Sequence, residues 1–216
     1  MKNIISLVFI FAAISGAFLF YGCEKERDGI GVSSYNEDLL FNNPVDHSGS
    51  SGTVSNYFTH NGISYDIGTG LIYYYGPYIS SYDVRFVLLS PDLVIDESTG
   101  EPVSGVGSYV YFRCYSSSSD LAPGTYVSDP DGSGSAGTFY YGFLVINYDG
   151  STGDMEDYYY IFDGTVTVNR SGDKYIIDID CTDEDGNAFS GYFYSTMYYY
   201  DESKEGSSDP GIFIFE

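Results

Sequence analysis

Hydrophobic and polar residues alternate along most of the chain from about residue 53 onward. Apolar side chains fall at every second position in residues 82–89, and residues 162–168 repeat the pattern. Such alternation turns successive side chains to opposite faces of a strand. No later segment carries an apolar stripe at helical spacing over three turns. The pattern predicts short β-strands at residues 53–58, 63–67, 71–75, 82–89, 107–115, 125–127, 138–147, 158–168, 174–181, 188–197 and 211–215.

Turn-forming residues separate these segments. Asn61-Gly62, the glycines of 68–70, Gly172-Asp173 and the acidic segment 183–187 indicate tight connections between consecutive strands. The proline-bearing segment 90–104 is long enough to cross between two sheets. We therefore expect an all-β fold, an antiparallel β-sandwich or open barrel-like sandwich of about ten strands, formed by residues 53–216 as a single domain.

The alternation also assigns faces. Asp83 and Arg85 lie opposite the apolar positions of their segment, so we expect them on a wet face. Cys114 and Cys181 share the parity of apolar neighbours and are expected to point inward. An exported protein can oxidise such a pair, so a disulfide between Cys114 and Cys181 is one expectation, and two buried free thiols are the other.

The first residues form a different kind of segment. Lys2 supplies a positive charge, residues 4–21 are apolar, and the run stops at Gly22-Cys23. This arrangement is typical of an export signal. The residues Phe20-Tyr21-Gly22-Cys23 resemble the lipobox of bacterial lipoproteins, in which the chain is cut before the cysteine and the thiol receives a diacylglycerol. An uncleaved membrane anchor and an ordinary secreted protein are the alternatives.

The lipobox resemblance implies that residues 1–22 are a lipoprotein signal peptide, that Cys23 is the lipidation site, and that residues 23–52 form a flexible tether. Glu24, Glu26 and Asp28 follow the cysteine. They resemble the acidic signal that sends lipoproteins of the Bacteroidota to the outer face of the outer membrane. A solvated tether explains the same charges. We expect an outer-membrane lipoprotein that faces the cell exterior and contacts the membrane through its lipid.

The remaining chain also resembles a known group. The segments 121–126 (LAPGTY), 137–139 (GTF), 163–168 (DGTVTV) and 172–175 (GDKY) are similar to those of uncharacterised β-rich lipoproteins of gut Bacteroidota. The similarity covers roughly residues 61–200. It implies a β-rich fold and an outer-membrane location, and it implies no activity. The fimbrillin-like adhesins and the outer-membrane starch-binding lipoproteins share both features.

Charge excludes one class of partner. The chain has 31 acidic and 8 basic side chains and a net charge of -23. Phosphates would be repelled, so nucleic acid is not an expected partner. The 25 tyrosines and 15 phenylalanines distinguish the chain from acidic disordered tails, which are poor in aromatic residues.

Candidate catalytic chemistry is sparse. No G-x-S-x-G motif occurs, and His47 and His60 are the only histidines. Without a C-x-x-C pair these residues cannot complete a zinc site. A glycosidase needs two carboxylates about 5 to 10 Å apart. The densest acidic group beside aromatic residues is Asp154, Glu156 and Asp157, which a solvated turn also explains. We expect no enzyme, and a small glycan-directed hydrolase that uses paired carboxylates is the alternative.

Two segments have the carboxylate spacing of calcium loops. Residues 129–132 and 183–186 each place two aspartates two positions apart before a glycine. An EF-hand is excluded, because Cys181 and Tyr192 stand where it requires acidic ligands. Asp-Gly hairpin turns explain both segments, with a looser calcium site as the alternative. The sequence therefore assigns no metal and no cofactor.

Tyrosine runs are the one compositional oddity. In a strand, alternation turns at least one member of each triplet outward. Exposed rings could stack on sugars or contact a protein, while tyrosine is also an ordinary strand residue. We expect Tyr73, Tyr75, Tyr158 and Tyr160 to form an outer ligand-binding face, and outward-facing Tyr74 and Tyr159 are the alternative. The predicted function is a surface-displayed lipoprotein that acts as a non-catalytic binding or structural module for glycan or protein ligands.

Overall fold

The computed structural model describes residues 55–204. The predicted signal peptide, Cys23, the predicted tether and the candidate strand 211–215 lie outside the described residues. Within them there is no helix, and so none that could cross a membrane. The strands are β1 (Tyr57–His60), β2 (Ile63–Asp66), β3 (Thr69–Tyr78), β4 (Ser81–Leu89), β5 (Val94–Ile95), β6 (Pro102–Ser104), β7 (Val106–Ser116), β8 (Gly124–Ser128), β9 (Thr138–Asp149), β10 (Asp157–Ser171), β11 (Lys174–Asp183), β12 (Ala188–Ser195) and β13 (Tyr198–Asp201).

Eleven of these strands form one curled sheet in the order β13-β3-β4-β7-β9-β8-β10-β11-β12-β1-β2, and β9 also pairs with β10. Strands β5 and β6 form a separate small hairpin. The pairs β13–β3 and β8–β9 are parallel, and the other pairs are antiparallel. The predicted all-β fold, with a sandwich-like or open barrel-like form, is confirmed.

The inner face of the curled sheet buries the main core. Every second residue of the strands in both halves of the sheet points into this core. The strands therefore have one apolar side and one polar side. The members of this core include Phe58, Ile72, Val84, Phe86, Phe112, Cys114, Phe139, Val166, Ile177, Cys181 and Phe193.

The outer face of β3, β4, β7 and β9 carries a second core. Cross-strand pairing sets Leu71, Val87, Tyr111 and Phe143 in one row on this face. The segment between β4 and β7, which includes the small hairpin, packs Leu93 and Ile95 on it. The expectation that residues 90–104 cross between sheets is wrong, since β4 and β7 are neighbours in one sheet.

The expectation that Asp83 and Arg85 lie on a wet face is also wrong. They are only 5% and 6% exposed, because the outer face of β4 is covered. Asp83 Oδ1 accepts a hydrogen bond of 3.3 Å from Arg85 Nε, and Asp83 Oδ2 accepts one of 2.7 Å from Arg113 Nη2. The Arg85 guanidinium also lies 3.7 Å from the centre of the Tyr75 ring. This pairing offsets the cost of burying the charges.

Two predicted turns have opposite outcomes. The Asn61-Gly62 hairpin is confirmed: β1 ends at His60, and both turn residues have positive φ, 48° and 78°, as a two-residue hairpin requires. The turn predicted at residues 68–70 is wrong. The Gly68 N–H donates a 2.8 Å hydrogen bond to the Leu89 carbonyl, and the chain passes from β2 at one end of the sheet order to β3 near the other.

Candidate functional site

The four tyrosines predicted to bind ligand lie on the outer face of the sheet. Tyr73 and Tyr75 are on β3, and Tyr158 and Tyr160 are on β10. Strands β4, β7 and β9 separate the two pairs. The structure therefore divides the predicted surface into two regions with different surroundings.

Tyr73 belongs to the second core. It is 3% exposed and stacks on Tyr200, with ring centres 5.2 Å apart. Its hydroxyl donates a hydrogen bond of 3.2 Å to the Gly100 carbonyl, and a Cβ on Gly100 would lie 2.5 Å from that hydroxyl. Burial raises the pKa of Tyr73. Tyr75 is half-buried beneath the Arg85 guanidinium. Neither ring presents an open surface to a ligand.

The β10 pair lies in a more open region. Tyr158, Tyr160 and Phe162 follow one another at alternate positions, and Tyr141 of β9 lies close enough to contribute to the pKa of the Tyr160 phenol. Tyr158 and Phe162 are each 42% exposed. The Tyr160 and Phe162 rings are stacked with centres 5.5 Å apart, and Tyr158 meets Tyr160 edge-on at 5.7 Å. We call Tyr141, Tyr158, Tyr160 and Phe162 the aromatic patch.

The rings of this region cover one another's faces. Phe143 lies 4.5 Å from Tyr111 and 6.2 Å from Tyr141, with interplanar angles of 12° and 14°. Tyr160 and Phe162 make a similar parallel pair at 15°. Parallel stacking uses one face of each of these rings. Since a sugar stacks on the flat face of a ring, the patch is better suited to the mixed apolar and polar surface of a protein.

The border of the patch is acidic. The Glu184 N–H donates a 3.0 Å hydrogen bond to the Tyr160 carbonyl, which brings the β11–β12 turn next to the patch. Burial, followed by Tyr158 and Glu184, raises the pKa of the Tyr160 phenol. Asp157 and Asp163, both exposed, lie on the same strand. A ligand that approaches these rings therefore meets carboxylates at the border.

The structure reveals a buried pair that sequence reasoning missed. His60 Nε2–H donates a 2.7 Å hydrogen bond to Asp183 Oδ2, and the His60 ring lies 4.3 Å from the Tyr159 ring. Burial opposes ionisation of Asp183, but hydrogen bonds from His60, Asn187 and Asp185 outweigh it and lower its pKa to about 2. Among the side-chain hydrogen bonds of residues 55–204, the His60 ring makes only this one. The pair orients a turn, and 123 residues of separation hide it from any local pattern.

The carboxylates singled out for catalysis or metal binding make local contacts. Asp154 accepts a hydrogen bond from Thr152, Glu156 accepts one from Asn147, and Asp157 accepts one of 2.6 Å from the Tyr159 hydroxyl. In the calcium-like segments, Asp129 accepts from the Ser133 N–H and Asp183 from the Asn187 N–H. Hydrogen-bonded turns thus explain the spacing of both segments. Across the described residues, no three His, Cys, Asp or Glu side chains are grouped to hold a metal ion.

Cys114 and Cys181 are buried in the inner core as free thiols. Burial raises the pKa of the Cys181 thiol to about 12 and that of Cys114 well above its usual range. Both residues point to the apolar side of their strands. The thiols therefore fill core volume in this structure.

Comparison of the chain with protein-family models, with curated proteins and with solved structures gave no match.

Proposed function

We propose that this protein is a lipid-anchored, non-catalytic binding module that contacts a protein ligand through the aromatic patch. The observation that supports this proposal best is the exposure of Tyr158 and Phe162, 42% each, beside a second core whose rings are buried or half-buried. Rings at such positions increase affinity for a partner at little cost in conformational entropy.

The ring orientation supports a protein as the ligand. Tyr141 and Tyr160 are half-buried and stacked on other rings, and a phenol combines apolar contact with a hydroxyl that can hydrogen-bond, as residues enriched at protein interfaces do. The acidic border and the net charge of -23 favour a partner with a basic surface, because opposite charges accelerate association. The same charge disfavours nucleic acid.

Display at the cell exterior is supported by the sequence of residues 1–28. In this proposal the chain is cut before Cys23, the cysteine is acylated, and the tether carries the folded domain away from the outer membrane. The Cys23→Ala variant tests it. We expect loss of palmitate labelling and loss of membrane partition in cells. Unchanged labelling would refute the lipid anchor and leave the binding surface to be judged separately.

The binding proposal is tested with the purified full chain in mild detergent, screened in parallel on an array of extracellular proteins and on a glycan array. Tyr158→Ser/Phe162→Ser should weaken protein binding by roughly tenfold to thirtyfold, since each ring contributes about 1 kcal/mol. The melting temperature should change by less than about 2 °C. The control is Ile63→Ser/Tyr198→Ser, which removes two apolar side chains of similar exposure, 59% and 46%, outside the patch.

Three results would contradict the proposal. One is equal loss of binding in the control, and another is unchanged binding in the patch variant. The third is turnover of a glycan by the wild-type chain that is abolished by one carboxylate substitution at Asp154, Glu156 or Asp157. That last result would establish the hydrolase as the function.

A further inference from the structure

The other half of the sheet carries an ordered row of side chains on its outer face. Register aligns Asp66 of β2 with Tyr57 of β1, Tyr57 with Tyr192 of β12, and Tyr192 with Asp178 of β11. Residues directly opposite each other in antiparallel strands point to the same side. Two tyrosines therefore stand side by side with an aspartate at each end. We call these four residues the Asp-Tyr-Tyr-Asp row.

The row faces solvent. Phe58, Phe193 and Ile177, which occupy the opposite parity on the same three strands, are buried in the inner core. Asp66 and Asp178 are exposed, and Tyr57 and Tyr192 are half-buried. The row continues through Thr167 of β10 and Thr125 of β8, so hydroxyl groups extend the surface beyond Asp178.

The tyrosine rings of the row differ from those of the aromatic patch. Within residues 55–204, no aromatic ring stacks on Tyr57 or Tyr192, whereas Tyr160 is covered by Phe162. Their flat faces are therefore not used by other rings. Flat ring faces are what the apolar side of a sugar packs against.

The two aspartates also differ from Asp154, Glu156 and Asp157, whose carboxylates accept local hydrogen bonds. Among the side-chain hydrogen bonds and ion pairs of the described residues, none involves the carboxylate of Asp66 or Asp178. Asp183, by contrast, has its oxygens occupied by His60 and by its own turn. Asp178 and Tyr192 pair directly across β11 and β12. Burial raises the pKa of Asp178, and burial together with Asp178 raises the pKa of the Tyr192 phenol. Both aspartates remain available to accept hydrogen bonds from a ligand.

We infer that the Asp-Tyr-Tyr-Asp row binds a neutral oligosaccharide that lies across the strands. Tyr57 and Tyr192 stack on its sugar rings, and Asp66 and Asp178 accept hydrogen bonds from its hydroxyl groups. Neighbouring strands are about 4.8 Å apart, so the row spans about 14 Å, the length of about three sugar residues. Acidic sugars are rejected, because the two carboxylates and the net charge of -23 repel them.

This site is separate from the proposed protein-binding surface. It uses different strands and none of the residues of the aromatic patch. The variant Tyr158→Ser/Phe162→Ser should therefore bind oligosaccharide as the wild type does. Failure of one proposal leaves the other intact.

The test uses the full chain in mild detergent and isothermal titration with maltohexaose, cellohexaose, xylohexaose and mannohexaose, with hexagalacturonate as the acidic probe. We expect at least one neutral probe to bind and hexagalacturonate to bind at least tenfold more weakly. Tyr57→Ala/Tyr192→Ala should weaken binding of the neutral probe at least tenfold. Asp66→Asn/Asp178→Asn preserves side-chain shape and should weaken binding of the neutral probe by a similar factor. This second variant tests the site even if the tyrosine variant is poorly folded.

The matched control is Thr59→Ala/Ser190→Ala. These two residues pair with each other on β1 and β12, one row away on the same outer face. Binding in this variant should stay within twofold of the wild type. The inference is overturned if no neutral probe binds, if hexagalacturonate binds as well as the best neutral probe, or if the control loses as much affinity as the Asp66→Asn/Asp178→Asn variant.

Discussion

The Nε2–H of His60 donates a hydrogen bond of 2.7 Å to Oδ2 of Asp183, and it joins the end of β1 to the end of β11. The same carboxylate accepts hydrogen bonds of 3.0 Å and 2.7 Å from the backbone N–H groups of Asp185 and Asn187. One buried charge therefore closes the β11–β12 turn and holds β1 against β12. It connects a local turn to the long-range order of the sheet.

Replacement of this carboxylate should destabilise the protein. We expect Asp183→Asn to lower the free energy of unfolding by about 3 kcal/mol, since it removes a charged acceptor that several buried donors share. Urea unfolding followed by circular dichroism measures the loss. Asp185→Asn, at an exposed position of the same turn, is the control and should change stability by less than about 0.5 kcal/mol. Equal effects of the two variants would contradict the assigned role.

The same residue should govern part of the acid stability. The folded pKa of Asp183 is about 2, below its unfolded value of about 3.9. Its ionised form therefore contributes stability above about pH 4, and this contribution is lost as the pH falls from about 4 toward 2. Urea unfolding at pH 5, 4, 3 and 2 should show a steeper loss of stability for the wild type than for Asp183→Asn. Identical slopes would show that this group does not titrate as described.

The buried charge of Asp83 on the outer face should contribute far more to the free energy of unfolding than an exposed charge does. Asp83→Asn leaves Arg113 and Arg85 without the carboxylate that both contact, and we expect a loss of about 3 kcal/mol. Lys204→Ala removes an exposed ion pair of 3.8 Å to Asp201 and should cost less than about 0.5 kcal/mol. Chemical denaturation measures the free energy of unfolding of both variants. A cost below 1 kcal/mol for Asp83→Asn would show that its buried pairing adds little.

Replacement of Ile79 in the β3–β4 turn should increase the stability of the protein. Ile79 has a φ of 47° and is 82% exposed, so a β-branched side chain occupies the left-handed region without burying its surface. Asn61 and Asn147 adopt similar angles of 48° and 49°. We expect Ile79→Asn to stabilise the protein by about 1 kcal/mol in thermal unfolding. Ile63→Asn, at an exposed position of strand β2, should not stabilise the protein. If it does, the gain at residue 79 comes from replacing an exposed apolar side chain and not from the backbone conformation.

The thiols should be protected in the folded state. Cys114 and Cys181 are buried, and a thiol with a pKa near 12 holds very little reactive thiolate at neutral pH. We expect iodoacetamide at pH 8 to label neither in the native chain and both after unfolding without reductant. Peptide mapping by mass spectrometry identifies the sites. A cross-linked Cys114–Cys181 peptide from the unreduced protein would contradict this expectation.

The predicted site illustrates what strand alternation can and cannot decide. Alternation required one parity of each tyrosine run to face outward, and it did not decide between Tyr73, Tyr75, Tyr158 and Tyr160 and their neighbours Tyr74 and Tyr159; the structure places the first set on the outer face. Alternation also could not distinguish Tyr73, which is covered by Tyr200 and the Gly100 loop, from Tyr158, which stays open. Coverage depends on packing with residues far along the chain, and local patterns contain no information about such contacts.

The sequence by itself determined the strand class, most strand positions and the tight turns that join β1 to β2, β10 to β11 and β11 to β12. The segment predicted at 174–181 is β11 (Lys174–Asp183), and Asn61-Gly62 forms the β1–β2 hairpin. Both could be predicted because side-chain period and turn stereochemistry act between near neighbours. Only the tertiary structure decided the passage from β2 to β3, the parallel pairing of β13 with β3, and the register that aligns Tyr57 with Tyr192. These relationships depend on which strand faces and edges can be buried together, and this is determined by the packing of the whole sheet.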